Sequence, residues 1–312
     1  MKKKLFIIAA LPLMLLSLNG CKKKADFQVG IIQWVTHPAL GRATKGFKAG
    51  LKAALGSKTV DFEVKIAADD PSAASSIVNT FISKNKHLIM ANATPAVQSA
   101  ANATATIPVV GTSVTSYEVA FGGTIPPHVT GTSDLAPLDQ QAQELLTWFP
   151  DASKVGIFYC ASEPNSVFQS QGIRSALSTL KPGITCTEVT FTETNEIQAV
   201  LSASVSSFDV LYIPTDNKCA DNAELIHTIC AQAHKPVFAG EESICAGCGV
   251  ATLSIDYLKL GKITGQMAAE ILLGANPADL EIRYDTDVRK LYNASIAAEL
   301  GITNIPEGYT AI

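Results

Sequence analysis

The chain has 312 residues, 47% of them hydrophobic and 17% charged, and its 24 basic side chains stand against 28 acidic ones for a formal charge of -4. That composition excludes disorder and coiled coil and describes one large globular body or two smaller lobes. The thinly spread lysines and arginines also exclude a concentrated basic face of the kind that grips nucleic acid, so no nucleic-acid partner is expected.

The chain opens on Lys2, Lys3 and Lys4 and continues as an apolar stretch of 14 residues from Leu5 to Leu18. This is the layout of an export signal, and the stretch falls short of the roughly 20 residues that span a bilayer as a helix. Leu18-Asn19-Gly20-Cys21 resembles a bacterial lipoprotein cleavage box, with Asn19 a departure from the usual small residue. Cys21 is then the expected lipid-bearing first residue, and Lys22, Lys23 and Lys24 favour an anionic surface beside it. Removing residues 1–20 takes away three lysines and leaves 21 basic against 28 acidic side chains, a charge of -7.

From Phe27 onward, β-branched runs alternate with helical patterns, which predicts parallel sheets built from βαβ units. Strands are expected at 28–33, 60–66, 87–91, 108–112, 155–159, 185–191, 210–214, 236–240 and 251–255. Most are apolar on both faces, as strands covered by helices on two sides must be. The first helix starts at Pro38 and exits at Gly56, with Leu40, Phe47, Leu51 and Leu55 forming one apolar stripe. Further helices are expected at 71–83, 95–103, 137–149, 166–180, 195–206, 218–233 and 257–273. The scheme of 87–95 followed by 107–111 recurs at 208–217 followed by 235–240, so two similar lobes are implied. The first closes near 130–136, where a Gly-Thr-Ser-Asp stretch reads as a connection.

In open parallel sheets, ligands bind beyond the carboxyl ends of the strands. The residues at those positions here are polar: Gln33, Trp34 and His37; Thr94 and Pro95; Thr115, Ser116 and Tyr117; Glu163, Asn165 and Ser166; Asp216 and Asn217; Glu241; Asp256 and Tyr257. Amides and hydroxyls at the helix starts Thr94-Pro95 and Asn165-Ser166 suit a carboxylate. Asp216, Glu241 and Asp256 suit an ammonium, and Trp34, Tyr257 and Tyr117 offer flat walls for an apolar side chain. Each of the small polar residues also serves as a helix N-cap worth about 1 kcal/mol without any ligand, so the case rests on their shared edge.

Six cysteines lie beyond Cys21: Cys160, Cys186, Cys219, Cys230, Cys245 and Cys248. Export permits disulfides, and six thiols allow 15 full pairings. Cys245-Ala-Gly-Cys248 lacks the second pair or the strand-to-helix position of a zinc or redox motif, and a structural role is expected. His87, His128, His227 and His234 have no partner at metal spacing, and no metal or cofactor is expected. The serine elbow, the phosphate loop and the dinucleotide fingerprint are all missing, so no catalytic residue is assigned and the chain is not read as an enzyme.

Val29-Gly-Ile-Ile-Gln33-Trp-Val-Thr-His37-Pro38, Ala93-Thr94-Pro95-Ala96, Val129-Thr-Gly131-Thr-Ser-Asp134, Glu163-Pro164-Asn165-Ser166, Ile213-Pro214-Thr215-Asp216-Asn217 and Val237-Phe-Ala239-Gly240-Glu241 resemble the ABC-transporter substrate-binding lipoprotein family with tryptophan- and tyrosine-binding members. The resemblance covers nearly all of the mature chain. It implies a type I periplasmic-binding fold: an α/β protein of two Rossmann-like lobes with parallel sheets joined by a hinge. On that layout residues 1–20 are the signal and 21–26 the tether. Residues 27–133 with 256–282 form one lobe, and 134–255 with 283–312 the other. The resemblance also implies a permease and an ATPase as partners, a monomer, an extracytoplasmic location and an aromatic amino acid as cargo. Two departures bear on the cargo: Ser116-Tyr117 stands where such chains usually continue Asp-Pro, and Glu241 where they have Asp. A surface lipoprotein acting as adhesin or sensor, and a carrier of a nucleoside or sugar, are the alternatives.

Overall fold

The computed structural model describes residues 24–312; the expected signal at 1–20 and Cys21 lie outside the described residues. In the first lobe β1 (Phe27–Gln33), α1 (Pro38–Leu55), β2 (Val60–Ile66), α2 (Pro71–Ser83), β3 (Leu88–Asn92), α3 (Thr94–Ala103), β4 (Val109–Val114), α4 (Tyr117–Ala120) and β5 (Val129–Ser133) follow one another. The second lobe continues with α5 (Leu138–Trp148), β6 (Lys154–Cys160), α6 (Pro164–Leu180), β7 (Thr185–Phe191), α7 (Ile197–Ser204), β8 (Val210–Ile213), α8 (Asn217–Asp221), α9 (Ala223–Gln232), β9 (Val237–Ala239), α10 (Glu242–Gly247) and β10 (Ala251–Ile255). The chain then returns to the first lobe as α11 (Tyr257–Leu272) and β11 (Arg283–Tyr284), and ends in the second as β12 (Val288–Tyr292), α12 (Ala294–Glu299) and β13 (Thr310–Ala311).

Strand order is β11-β5-β4-β3-β1-β2 in the first sheet and β13-β12-β10-β9-β8-β6-β7 in the second. Pairing is parallel except where β12 runs antiparallel to β10. The central strands β1, β3 and β4 are mostly apolar and turn polar at their carboxyl ends with Gln33, Asn92, Thr112 and Ser113, and α1 buries Leu40, Phe47, Leu51 and Leu55 as its periodicity requires. The connection expected at 130–136 begins as a strand instead: β5 pairs with β4 and, on its other side, with β11. Because Arg283 and Tyr284 stay with the first sheet, the final passage into the second lobe falls between Tyr284 and Val288. Residues 294–299 and 310–311, for which no element was expected, complete the second lobe.

All six cysteines in the described residues carry free thiols, and Cys219, Cys230, Cys245 and Cys248 pack in the core of the second lobe. Burial pushes the Cys230 thiol up to about 12, so it is inert at neutral pH. Among the described residues no helix is long and apolar enough to cross a membrane.

The first lobe is held together across sequence by α1 and α11, which meet through glycines. A methyl group on Gly46 would lie 2.1 Å from the Leu258 carbonyl oxygen, and one on Gly261 2.1 Å from that of Ala43. Alanine would gain about 1 kcal/mol of helix propensity over glycine, but backbone cannot yield to it as a flexible side chain would. The clash wins, at a cost of roughly 1–3 kcal/mol or more. Gly261→Ala is therefore expected to lower unfolding free energy by about 2 kcal/mol in denaturant titration, whereas Gly41→Ala, in open space on α1, should be neutral or stabilising by up to about 1 kcal/mol.

Candidate functional site

Parallel strands deliver every following helix start to one edge of each sheet, and the two edges face each other. Gln33, at the end of β1, sits in register with Asn92 at the end of β3. In the second lobe Cys160, Ile213 and Ala239 end their strands beside the starts of α6, α8 and α10.

Side chains from the two edges touch. Thr115 accepts a hydrogen bond from Gln169 Nε2 at 3.0 Å, and Gln169 Oε1 accepts from the Thr215 amide at 3.2 Å. His37 Nε2 lies 3.5 Å from Asn217 Oδ1, and its Nδ1 3.5 Å from Ser243 Oγ. Lys218 Nζ stands 3.3 Å from Asp69, whose other oxygen accepts from Trp34 Nε1 at 2.9 Å. On the rim, Arg42 bonds Glu242 of α10, which also holds Arg289. This is a closed arrangement of the lobes.

The second lobe lines the meeting place with buried acids. Asp216 accepts from the Cys160 amide and the Ser166 hydroxyl through one oxygen and from the Cys219 amide through the other, at 2.7–2.8 Å. Glu163 accepts from the amides of Asn217 and Lys218 and from the side chains of Asn165 and Asn217. Burial, then the neighbouring Asp216, pushes its carboxyl up. Glu241 caps α10 through Ser243 and Ile244 and is likewise raised by burial. Asp134, where the chain first crosses between lobes, accepts from Thr115 Oγ1 and Tyr257 Oη and is pushed by burial up to about 6. All four acids are at most 3% exposed, and the one buried ammonium beside them, Lys218, is engaged with Asp69.

The first lobe brings two helix starts without a side-chain cap to the same place, as the second does with α6. No side chain caps α3, whose N-cap is Ala93 held at φ 88°, and none caps α1 behind His37. A non-glycine residue in that region costs roughly 1–3 kcal/mol. Ser113, at φ 55° in the irregular stretch of β4, repeats the strain. The amides of Thr94 and Ala96 therefore head a helix dipole without a side-chain acceptor. Among the buried polar atoms, Asn92 Oδ1, Ser113 Oγ and Asn165 Oδ1 have no hydrogen-bond partner in the described residues.

The residues expected at the cleft separate into four groups. Trp34, Thr94, Pro95, Thr115, Asn165, Ser166, Asp216, Asn217 and Glu241 lie at the facing edges, and so does Gln33, which spends its amide on Val35 and Thr44. Ser116 turns to its own helix, capping α4 through the Val119 amide. Tyr117 is in the core, its hydroxyl donating to the Thr132 carbonyl over Gly111 and Gly131. Asp256 caps α11 on the partly exposed rim, beside Arg42. Glu163, expected beyond its strand with Asn165 and Ser166, lies there too, while the acids Asp134 and Asp69, the base Lys218, and Gln169 complete the site without having been selected from sequence. Of these four, Lys218 carried the same helix-start signal as Asp216.

Residues 28–308 match the family described as ABC transporter substrate binding protein. The chain is 32% identical over 306 residues to a tyrosine-binding protein of Clostridioides difficile, covering 90% of this chain and 87% of that one. Among solved structures it is similar to a Streptococcus pneumoniae ABC domain in complex with L-Trp, with a TM-score of 0.84, 29% identity and coverage of 91% and 100% of the two chains. A ligand-free, open substrate-binding protein with adhesive properties from Clostridium difficile is 32% identical over 92% and 99% of the chains, with a TM-score of 0.70. The closer geometric match is to the ligand-bound relative, in keeping with the contacts between the lobes.

His37 makes that closure sensitive to pH. Burial, opposed by Asn217 and the charges of Asp221 and Asp216, lowers it from 6.5 to about 4. When the lobes part, the ring meets water and regains its ordinary value. Its contribution to closure is thus present above about 6.5 and is lost as pH falls toward 4. The closed fraction of the ligand-free protein, followed by a distance probe across the cleft, should fall over that window, and His37→Gln should flatten the fall.

Proposed function

Because the chain belongs to the ABC transporter substrate-binding protein family, whose members bind solutes and are not enzymes, we propose that it holds an aromatic amino acid between its lobes and delivers it to a permease driven by an ATPase. The observation that carries this reading is the polarity of the cleft. Uncapped amides at α3 on one side suit a carboxylate, and four buried acids with one engaged lysine on the other suit an ammonium. Thr94, the amide of Ala96 and Thr115 take the carboxylate. Asn165 Oδ1, which lacks a donor, takes the ammonium together with Glu163 and Asp216. Trp34, with its ring direction set by Asp69, forms an apolar wall. Relatives that bind tyrosine and L-Trp support an aromatic side chain.

Three further parts of the reading come from sequence: export by residues 1–20, a lipid on Cys21 that tethers a monomer outside the cytoplasm, and lobes divided near 133 and 256. A second reading, adhesion at the cell surface, has the support of the relative with adhesive properties.

A ligand that binds only the native state adds about 2.7 kcal/mol at a hundredfold excess over its dissociation constant. Tyrosine or tryptophan should raise the melting temperature, while sugars and nucleosides leave it unchanged; silence from every L-amino acid would sink the proposal. Thr94→Val keeps shape and loses one hydrogen bond to a charged group, worth about 1.5–3 kcal/mol, so calorimetry should show at least a roughly ten-fold loss of affinity with little change in the melting point of the free protein. Cys21→Ala should release the exported chain from the membrane fraction.

A further inference from the structure

On the flank of the first lobe, Lys45, Lys48 and Lys52 recur along α1 at spacings of three and four and so share one stripe. With Gly41, Thr44 and Ala49 they line an open groove of about 470 Å³. None of the three has a carboxylate within ion-pair distance among the described residues, on a chain with more acids than bases. Beside the stripe runs β2, the edge strand of the sheet. The ammonium groups of Lys48 and Lys52 lie 5.8 and 5.6 Å from the centre of the Phe62 ring. Val64 and Ile66 follow Phe62 at the two-residue period of a strand, on the same face, and are 38% and 46% exposed. Lysines without counter-ions next to exposed aliphatic side chains match a surface with anionic heads over an apolar layer.

The start of the first strand lies on the same flank. The amides of Asp26 and Phe27 donate to Thr59 at 3.0 Å, and Lys58 stands 5.4 Å over the Phe27 ring. Lys22, Lys23 and Lys24 precede them in sequence.

We propose that this flank is a membrane-docking face. Lys45, Lys48 and Lys52 meet the phosphates of anionic lipids while Val64 and Ile66 settle at the level of the headgroups, and the first lobe rests on the bilayer. The docking needs neither a lipid on Cys21 nor a ligand in the cleft.

A chain that begins at residue 25 has no acyl group to insert and lacks Lys22, Lys23 and Lys24, so that any preference for anionic lipid belongs to the folded body. It should sediment with vesicles rich in phosphatidylglycerol at least roughly ten-fold more tightly than with phosphatidylcholine alone, and added salt should weaken the binding. Each lysine at an anionic surface is worth about five-fold. K45Q/K48Q/K52Q should therefore lose most of the difference without a change in melting temperature, whereas K154Q/K235Q, on the other lobe, should keep it. The proposal is overturned if neutral and anionic vesicles bind equally, or if the triple variant binds as tightly as its parent. It is equally overturned if inorganic phosphate displaces the protein beyond the effect of chloride at the same ionic strength, since the lysines would then form a site for a free anion.

Discussion

The first amide groups of a helix have no partner within the helix, and a parallel sheet gathers many such ends along one edge. How those amides are satisfied decides the character of the cleft. The second lobe answers with carboxylates, so Asp216 and Glu241 sit where their helices begin and Glu163, at the start of α6, reaches across to the start of α8. The first lobe leaves α1 and α3 without side-chain caps. Two halves built on one plan thus differ in how many carboxylates they bring to the cleft, the second supplying Asp216, Glu163 and Glu241 and the first Asp69.

An isolated buried carboxylate is costly, and the second lobe offsets that cost by hydrogen bonding. Asp216 and Glu163 together receive seven hydrogen bonds, four of them from backbone amides. Such a cluster is rigid, because any rotation of one acid strands donors on two helices. The mobile part of the site lies elsewhere, in the pairs that join the lobes through single side chains: His37 with Asn217 and Ser243, Asp69 with Lys218, and Arg42 with Glu242. A hinge closing on a ligand can make and break these without disturbing the acids.

Much of this was legible in the chain. Where a two-residue alternation or an acidic or proline cap marks an element, expectation and structure coincide to the residue, as at β2 and β7 and at β10 and α2. Where an element owes its existence to its neighbours, nothing local announces it. In β5, Val129-Thr-Gly-Thr-Ser has one aliphatic residue and becomes a strand because β4 and β11 flank it. The same holds for side chains. Asp216 was visible as a polar residue after a strand, but the alliance of Glu163 with α8 spans 54 residues and that of Trp34 with Asp69 spans 35. Tyr117 shows the converse: its neighbourhood to the cleft in sequence gives way to the room that Gly111 and Gly131 leave for its hydroxyl.

The glycine seam between α1 and α11 has a consequence for how the molecule comes into being. Its two halves are separated by most of the second lobe, so the portion that leaves the ribosome first waits for a late one to be finished. Until residues beyond 257 arrive, α1 lacks its closest neighbour, while the central lobe already holds most of its own strands. Long-range closure of this kind slows folding, and for a chain read as exported it keeps the leading segment unfinished through most of synthesis, a state suited to passage through a membrane channel.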